Sequence, residues 1–176
     1  MAIKILCYLG VSSRLLDEWQ HFATRVMGLQ DVSDALSDDD SERYFKMDDH
    51  PFRLFIAAGE QERLAVCGWE ANNAHGLDEV AHALTQAGVA YEWADAAKIA
   101  KRRVQNLLSF DDPAGNHHEV YWCVISDFAR FTSPVGVRQF ITAEQGLGHV
   151  VLPAVKFDET VSFFTDVLGF GLSDLM

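Results

Sequence analysis

The chain has 176 residues, of which 49% are hydrophobic and 23% charged, and its formal net charge at pH 7 is −12. This balance is typical of a globular protein that is long enough to bury a substantial core. The densest basic cluster, residues 98–103, is too small to offset the acidic charge, which argues against nucleic acid and anionic membranes as partners.

The amino-terminus lacks the pattern of a signal peptide, and no run of 18 apolar residues predicts a membrane span. The three cysteines, Cys7, Cys67 and Cys123, lack CxxC spacing, which indicates buried thiols in a reducing compartment rather than a disulfide framework or a zinc site. We therefore expect a cytoplasmic protein.

One helical pattern occurs three times along the chain. Its copies are LDEWQHFAT at 16–24, LDEVAHALT at 77–85 and FDETVSFFT at 157–165. Each copy follows a β-rich run and contains an Asp-Glu pair, which is favoured in the first turn of a helix. Each also precedes a glycine suited to a helix carboxyl-terminal cap, namely Gly28, Gly88 and Gly169. The pattern predicts helices over 17–27, 78–87 and 158–168.

The β-rich runs between these helices complete a repeating unit of one strand, one helix and several antiparallel strands. The predicted strands are 3–11, 43–45, 52–57, 64–69, 90–93, 104–110, 119–124 and 149–152. Turns are predicted at 38–40 and 111–115, and a linker at 128–136. The predicted fold class is α+β, with two complete βαβββ modules and the start of a third.

The third module contributes a first strand and a helix before the sequence stops. Its helix places Phe157, Val161, Phe164 and Leu168 on one face at helical spacing. We expect the sheet that covers this face to lie outside the chain. The predicted domains are an amino-terminal domain at 1–127, a linker at 128–145 and an incomplete carboxyl-terminal domain at 146–176.

The stretch with the most chemical information is QFITAEQGLGHVVL at 139–152. Gly146 and Gly148 allow a tight turn into a strand that begins at His149. Strand alternation places His149 and Val151 on one face. A single histidine in a strand is more often structural than a metal ligand, although histidine is a common ligand at neutral pH.

The run F-x-T-x-E-Q-G-L-G-H-V-V at 140–151, followed by F-x-T-D-V-L-G-F-x-L-S-D at 163–174, closely resembles the domain junction of type I extradiol dioxygenases such as the 2,3-dihydroxybiphenyl 1,2-dioxygenases. These enzymes belong to the vicinal oxygen chelate superfamily, whose glyoxalase- and bleomycin-resistance-like fold repeats βαβββ modules. The amino-terminal half matches more loosely, through KILCYLGV at 4–11, GWE at 68–70 and D-P-x-G-x-x-x-E-V-Y at 112–121.

The resemblance implies that His149 is the first of three iron ligands. The other two, a histidine and a glutamate, would lie in later modules, as would the residues that handle the proton and oxygen, so no catalytic residue is expected within this chain. The implied cofactor is Fe(II), with Mn(II) as an alternative, and the implied substrates are a catechol and O₂. We expect Val151 to line the wall around the aromatic ring, and the resemblance favours a homo-oligomer.

The internal repeat suggests that the first domain lacks a metal. Tyr8 corresponds to His149 at an offset of 141 residues, and residues 61–71 contain no histidine. Glu119 does occupy the ligand-glutamate position, but one ligand cannot form a two-histidine, one-carboxylate site, so a structural role is predicted. A rival interpretation makes His117 and Glu119, on one face of a strand, part of a zinc site.

Two further functions stay open. A metal-free binding protein related to the antibiotic-sequestering members of the superfamily would suit the histidine-free first domain. A glyoxalase-like lyase or isomerase would share the fold but needs a different ligand set. The main hypothesis is a ring-cleaving dioxygenase of aromatic catabolism, of which this chain is a portion that is inactive alone.

Overall fold

The computed structural model describes residues 2–37, 40–126 and 128–173. It contains eight strands: β1 (Ile3–Ser13), β2 (Gln30–Asp31), β3 (Glu42–Lys46), β4 (Leu54–Ala58), β5 (Arg63–Ala71), β6 (Tyr91–Trp93), β7 (Val104–Asp111) and β8 (His117–Val124). Five α-helices accompany them: α1 (Leu16–His21), α2 (Ser33–Leu36), α3 (Ala74–Gln86), α4 (Ala96–Arg102) and α5 (Phe157–Ser162). Helices α1 and α5 each continue into a π-helical turn, Phe22–Val26 and Phe163–Val167 respectively.

All eight strands form one sheet in the order β2-β3-β4-β1-β5-β8-β7-β6. Within each module the first and last strands pair in parallel, β1 with β4 and β5 with β8, and the other strands of the module pair antiparallel. The antiparallel pairing of β1 with β5 joins the two modules at the centre. The predicted pair of βαβββ modules is therefore confirmed.

The two faces of the sheet bury different sets of side chains, as strand alternation requires. On β8, Val120 packs into the cluster beneath α3, whereas Tyr121 packs on the opposite face, which we call the inner face. The inner face carries a group of aromatic rings, Tyr8, Tyr44, Phe52, Phe55 and Tyr121. Helix α1 and the turn that follows it cover the outer face of the first module, where Ala23 and Leu29 are buried against Phe45 and Ile56.

All three predicted helices form, but one of them starts earlier than predicted, and three short elements were not predicted. Helix α3 begins at Ala74, before the Asp-Glu pair, because the side chain of Asn73 caps its start by accepting a hydrogen bond from the amide of Gly76 at 2.9 Å. The sequence analysis also missed α2, β2 and α4. The three cap glycines all have positive φ, between 69° and 76°, as predicted.

The third-module helix is covered within this chain, contrary to our expectation. Phe163 and Leu168 are buried against α3 and the outer face of β7 and β8, whereas Phe157 is 59% exposed. The amide of Leu168 donates to the carbonyl of Phe163 across a π turn, at 3.1 Å. Leu168 is buried as predicted, but a π turn adds one residue and brings Phe163, which ordinary α periodicity leaves off this face, into the core.

The segment between the second module and α5 contains little regular structure. The predicted linker at 128–136 forms neither a helix nor a strand. The predicted turn at 111–115 is present, with the amide of Gly115 bonded to the carbonyl of Asp112. The turn at 38–40 falls partly outside the described residues. In the described ranges, every helix is too short or too polar to cross a bilayer.

Removing the buried Phe163 ring tests this packing. We expect Phe163→Ala to lower the free energy of unfolding by about 3–5 kcal/mol, because the ring fills space among buried side chains such as Phe110 and leaves a cavity. The matched control Phe157→Ala removes an exposed ring and should change it by less than about 0.5 kcal/mol. Denaturant titration of both variants measures the difference, and equal losses would refute the packing.

Candidate metal centre

The glycine-rich turn before His149 is held against the centre of the sheet. Gly146 has φ of 62°, and a Cβ placed there would lie 2.1 Å from the carbonyl oxygen of Leu6 in β1. The amide of Leu147 donates to the same carbonyl at 2.9 Å. Gly148 has φ of 82° with open space around it. Gly146 is therefore needed both for its positive φ and for the close approach of its backbone to β1. Gly148 is needed only for its positive φ.

His149 and Val151 emerge from this turn on the surface. His149 is exposed, and its side chain forms no hydrogen bond or ion pair with the residues in the described ranges. Val151 is 83% exposed. An accessible imidazole fits the role of one metal ligand, but the described residues contribute no second ligand beside it.

The predicted strand at 149–152 is absent, which corrects the sequence analysis. Residues 149–154 have no assigned helix or strand, and the amide of His149 bonds instead to the carbonyl of Leu147 at 3.1 Å. A strand needs a neighbour to accept and donate its backbone hydrogen bonds. No described strand pairs with this segment, so the argument that places His149 and Val151 on one strand face has no basis in this chain alone.

The first domain contains the counterpart of the metal position. In the β1–β5 register Tyr8 lies opposite Gly68, and in the β5–β8 register Gly68 lies opposite Glu119. These three residues form one row across adjacent strands of the inner face, which we call the Tyr8 row. The row includes the repeat-equivalent of His149 and the predicted ligand-glutamate position, so the structure brings these two positions together on one face of the sheet.

Protein side chains neutralise the one acidic group of the Tyr8 row. Glu119 is 1% exposed, and its carboxylate is bound by Arg102 through Nε at 2.7 Å and Nη2 at 3.2 Å. Lys98 Nζ lies 3.0 Å from the same carboxylate, and the hydroxyl of Tyr8 donates to it. Burial would raise the pKa of Glu119, but Arg102, Lys98 and Tyr8 hold it at about 2. Glu119 is thus an ion-pair partner.

Both cations that pair with Glu119, Lys98 and Arg102, lie on helix α4. The Arg102 guanidinium also lies 4.2 Å from the centre of the Phe55 ring. The side-chain space above Gly68 is filled by the Tyr8 ring, which a Cβ at Gly68 would approach to 2.3 Å. A guanidinium therefore supplies the positive charge that balances Glu119 in the first domain.

The other members of the His-His-Glu run have separate partners. His118 is fully buried on the outer face, where it accepts a hydrogen bond from Trp69 Nε1 at 3.0 Å and contacts Asp112 at 3.3 Å. His117 contacts Asp111 at 2.7 Å. Because His118 and Glu119 face opposite sides of the sheet, and His117 pairs at the strand end, the structure gives no support to a shared zinc site.

The structure also brings together Cys7, His50 and Glu70, whose potential ligand atoms lie within 4.8 Å of one another. Their wide spacing in sequence gave no signal. Arg53 already binds this group, with Nη1 2.7 Å from Cys7 Sγ and Nη2 2.9 Å from His50 Nδ1. A metal ion would have to compete with this buried guanidinium, which is also paired with Asp48.

Comparison with known proteins gives consistent results. Residues 6–59 match the family model described as dihydroxybiphenyl dioxygenase BphC D1. The whole chain is 41% identical to an iron-dependent extradiol dioxygenase from Rhodococcus jostii and covers 57% of that protein. It is 36% identical to a biphenyl-2,3-diol 1,2-dioxygenase from Paraburkholderia xenovorans, again over 100% of the chain and 58% of the relative.

Among solved structures, a catechol 2,3-dioxygenase superposes with a TM-score of 0.88 at 34% identity, over 96% of this chain and 56% of that one. The vicinal oxygen chelate fold and the resemblance to extradiol dioxygenases are therefore confirmed. The chain spans a little over half the length of the relatives it matches.

Glu119→Gln tests the closed ion-pair cluster. We expect the free energy of unfolding at pH 7 to fall by about 3–5 kcal/mol, because Arg102 and Lys98 lose their buried counter-charge. The folded pKa of Glu119 is depressed, so its stabilisation is present above pH 4.5 and is lost as pH falls towards 2.

Urea titrations between pH 7 and pH 3 should therefore show the gap between wild type and Glu119→Gln narrowing below pH 4.5. The exposed Glu92→Gln serves as control and should show no such gap. If the difference in free energy of unfolding between wild type and Glu119→Gln stays constant with pH, the loss comes from altered side-chain packing rather than from the lost charge of Glu119.

The two motif glycines form a matched pair for a second test. Gly148→Ala should cost about 1–2 kcal/mol, because only the positive φ is strained. Gly146→Ala should cost about 2–4 kcal/mol, because its Cβ also meets the Leu6 carbonyl. Thermal unfolding of both variants gives the comparison, and equal losses would contradict the close approach to β1.

Proposed function

We propose that this chain is the amino-terminal part of an Fe(II)-dependent type I extradiol dioxygenase, which cleaves the ring of catechols such as 2,3-dihydroxybiphenyl. The observation that carries the proposal is the GLGH turn, which leads an accessible His149 away from the sheet in a chain that matches such enzymes from end to end. In this proposal residues 1–127 form a non-catalytic domain, 128–145 a linker and 146–176 the beginning of the catalytic domain.

His149 would be one iron ligand, through its imidazole, and Val151 would line the wall beside the aromatic ring. The remaining histidine and carboxylate ligands would come from the sequence beyond this chain, which the coverage of 57% of the Rhodococcus relative supports. Fe(II) held by such a triad supplies the redox chemistry that combines O₂ with the catechol. Mn(II) would suit the same ligand types.

This chain's own contribution to the reaction is to position His149. The Leu147–Leu6 hydrogen bond and the close contact of Gly146 fix the start of the turn on β1. Exposed apolar side chains such as Val151 would exclude water once the catalytic domain covers them. No described residue hydrogen-bonds to the side chain of His149, and in this proposal the acid-base groups would also lie beyond this chain.

The metal-free binding protein is the weaker hypothesis on two grounds. The relatives are named as ring-cleaving dioxygenases. Next to the rings of Tyr8 and Tyr121, on the inner face of the first domain, the enclosed space is about 10 Å³, room for about one water molecule.

The decisive experiment combines intact mass with ring cleavage of 2,3-dihydroxybiphenyl by the natural polypeptide. We expect a mass well above the 19.7 kDa of this chain and formation of the yellow ring-opened product. His149→Ala should abolish turnover, whereas His75→Ala, which removes an exposed imidazole on α3, should leave it unchanged. A mass equal to this chain together with no turnover would refute the proposal.

We further propose a cytoplasmic homo-oligomer. The reducing compartment is supported by three cysteines that are all free thiols, two of them buried. Sedimentation velocity on the natural polypeptide measures the assembly state, and a single monomeric species across the concentration range would contradict the oligomer.

A further inference from the structure

Two helices of this chain have the same conformation at an offset of 141 residues but differ in how much of their surface is covered. Helix α1 runs from Leu16 to His21 and continues as a π turn, and α5 runs from Phe157 to Ser162 and continues in the same way. In both, a threonine hydroxyl bonds back one turn, Thr24 to the Gln20 carbonyl and Thr165 to the Val161 carbonyl.

The closing hydrogen bonds match as well. Met27 donates to Phe22 at 3.0 Å, and Leu168 donates to Phe163 at 3.1 Å. Gly28 and Gly169 then turn the chain with φ of 76° and 71°. The two helices are therefore structural equivalents, and the side chains on them can be compared position by position.

Helix α5 buries one face against the first domain. Phe163 and Leu168 are 4% and 5% exposed, and they pack beside α3 on the outer face of the second module. The partly buried side chains of Phe164, Val167 and Phe170 pack against the same cluster. The first domain thus offers a docking surface to the third-module helix.

The equivalent face of α1 is apolar and uncovered. Phe22, Val26 and Met27, which match Phe163, Val167 and Leu168, are 46%, 65% and 36% exposed. We call these three residues the α1 face. Ala23, in the π turn that follows α1, and Leu29 are buried against the first module's own sheet. Their equivalents Phe164 and Phe170 are only partly buried, against the cluster beside α3. Adjacent exposed apolar residues on one helix are typical of a surface that meets a partner.

We propose that the α1 face docks on the second module of the catalytic domain, beside the counterpart of α3, as α5 docks on the second module of the first domain. This rests on the proposed function, in which a further module completes the catalytic domain. Two like domains that meet about a twofold axis make each contact twice, with the roles of the two domains exchanged. The contact of α5 with the first domain is half of that pair, and the α1 face would supply the other half.

The charged neighbour on the same turn gives a matched control. Arg25 is exposed, and its equivalent Asp166 is also exposed although α5 is docked. A position that stays in solvent on the docked helix should stay in solvent on α1 as well. Introducing aspartate at Val26 or at Arg25 therefore places the same residue on adjacent positions, one inside the proposed contact and one outside it.

The test compares Val26→Asp and Arg25→Asp in the natural polypeptide and in the 176-residue chain, by thermal unfolding. The proposal predicts that Val26→Asp lowers the unfolding midpoint of the natural polypeptide by several degrees and leaves that of the 176-residue chain unchanged. Arg25→Asp should leave both unchanged. Ring cleavage by the wild-type polypeptide is measured in parallel, so that the two proposals can fail separately.

Equal midpoints for the two variants in a wild-type-active polypeptide would overturn the docking while leaving the function intact. A loss of stability that disappears when the protein is diluted to monomers would overturn it in favour of a second copy covering the α1 face. A selective effect of Val26→Asp in a polypeptide that does not cleave catechols would support the docking and refute the dioxygenase.

Discussion

The antiparallel pairing of β1 with β5 joins the two modules into one sheet, and the features that bear on function depend on it. It places Tyr8 opposite Gly68, in line with Glu119 on the neighbouring β8. The same strand offers the Leu6 carbonyl to the glycine turn that precedes His149. The path of the chain towards the proposed iron ligand is therefore fixed by the centre of the first domain.

Charge balance explains how the first domain buries the carboxylate of Glu119. A buried carboxylate needs a compensating positive charge, and a metal ion or a guanidinium can supply it. In the first domain Arg102 and Lys98 from α4 take this role for Glu119. These side chains belong to the basic cluster at 98–103, and Lys101 pairs with Glu42, so three of its cations serve internal ion pairs.

The sequence predicted the modules well because local signals repeat. The Asp-Glu pairs, the cap glycines and the β-rich runs each specify short segments, and three copies reinforce one another. The position of Glu119 followed from a motif and the correspondence of Tyr8 with His149 from the repeat, but the hydrogen bond between Tyr8 and Glu119 was not predicted. Helix α4 was missed because its sequence has neither a long apolar face nor a copy elsewhere in the chain.

Other features depend on contacts that no local pattern contains. The full burial of Phe163, beside the partly buried Phe164, follows from a π turn, which shifts the periodicity by one residue. The strand predicted at 149–152 needs a neighbouring strand that the described residues do not supply. The group of Cys7, His50 and Glu70 forms only when β1, the β3–β4 connection and β5 come together.

The most direct test of the account is the number of iron ions bound per chain after anaerobic loading with Fe(II), measured by elemental analysis of the natural polypeptide and of the 176-residue chain. The account predicts one iron in the natural polypeptide and none in the 176-residue chain, because His149 is a single ligand and the Tyr8 row is closed by Arg102. One tightly bound iron in the 176-residue chain, or none in the natural polypeptide, would contradict it.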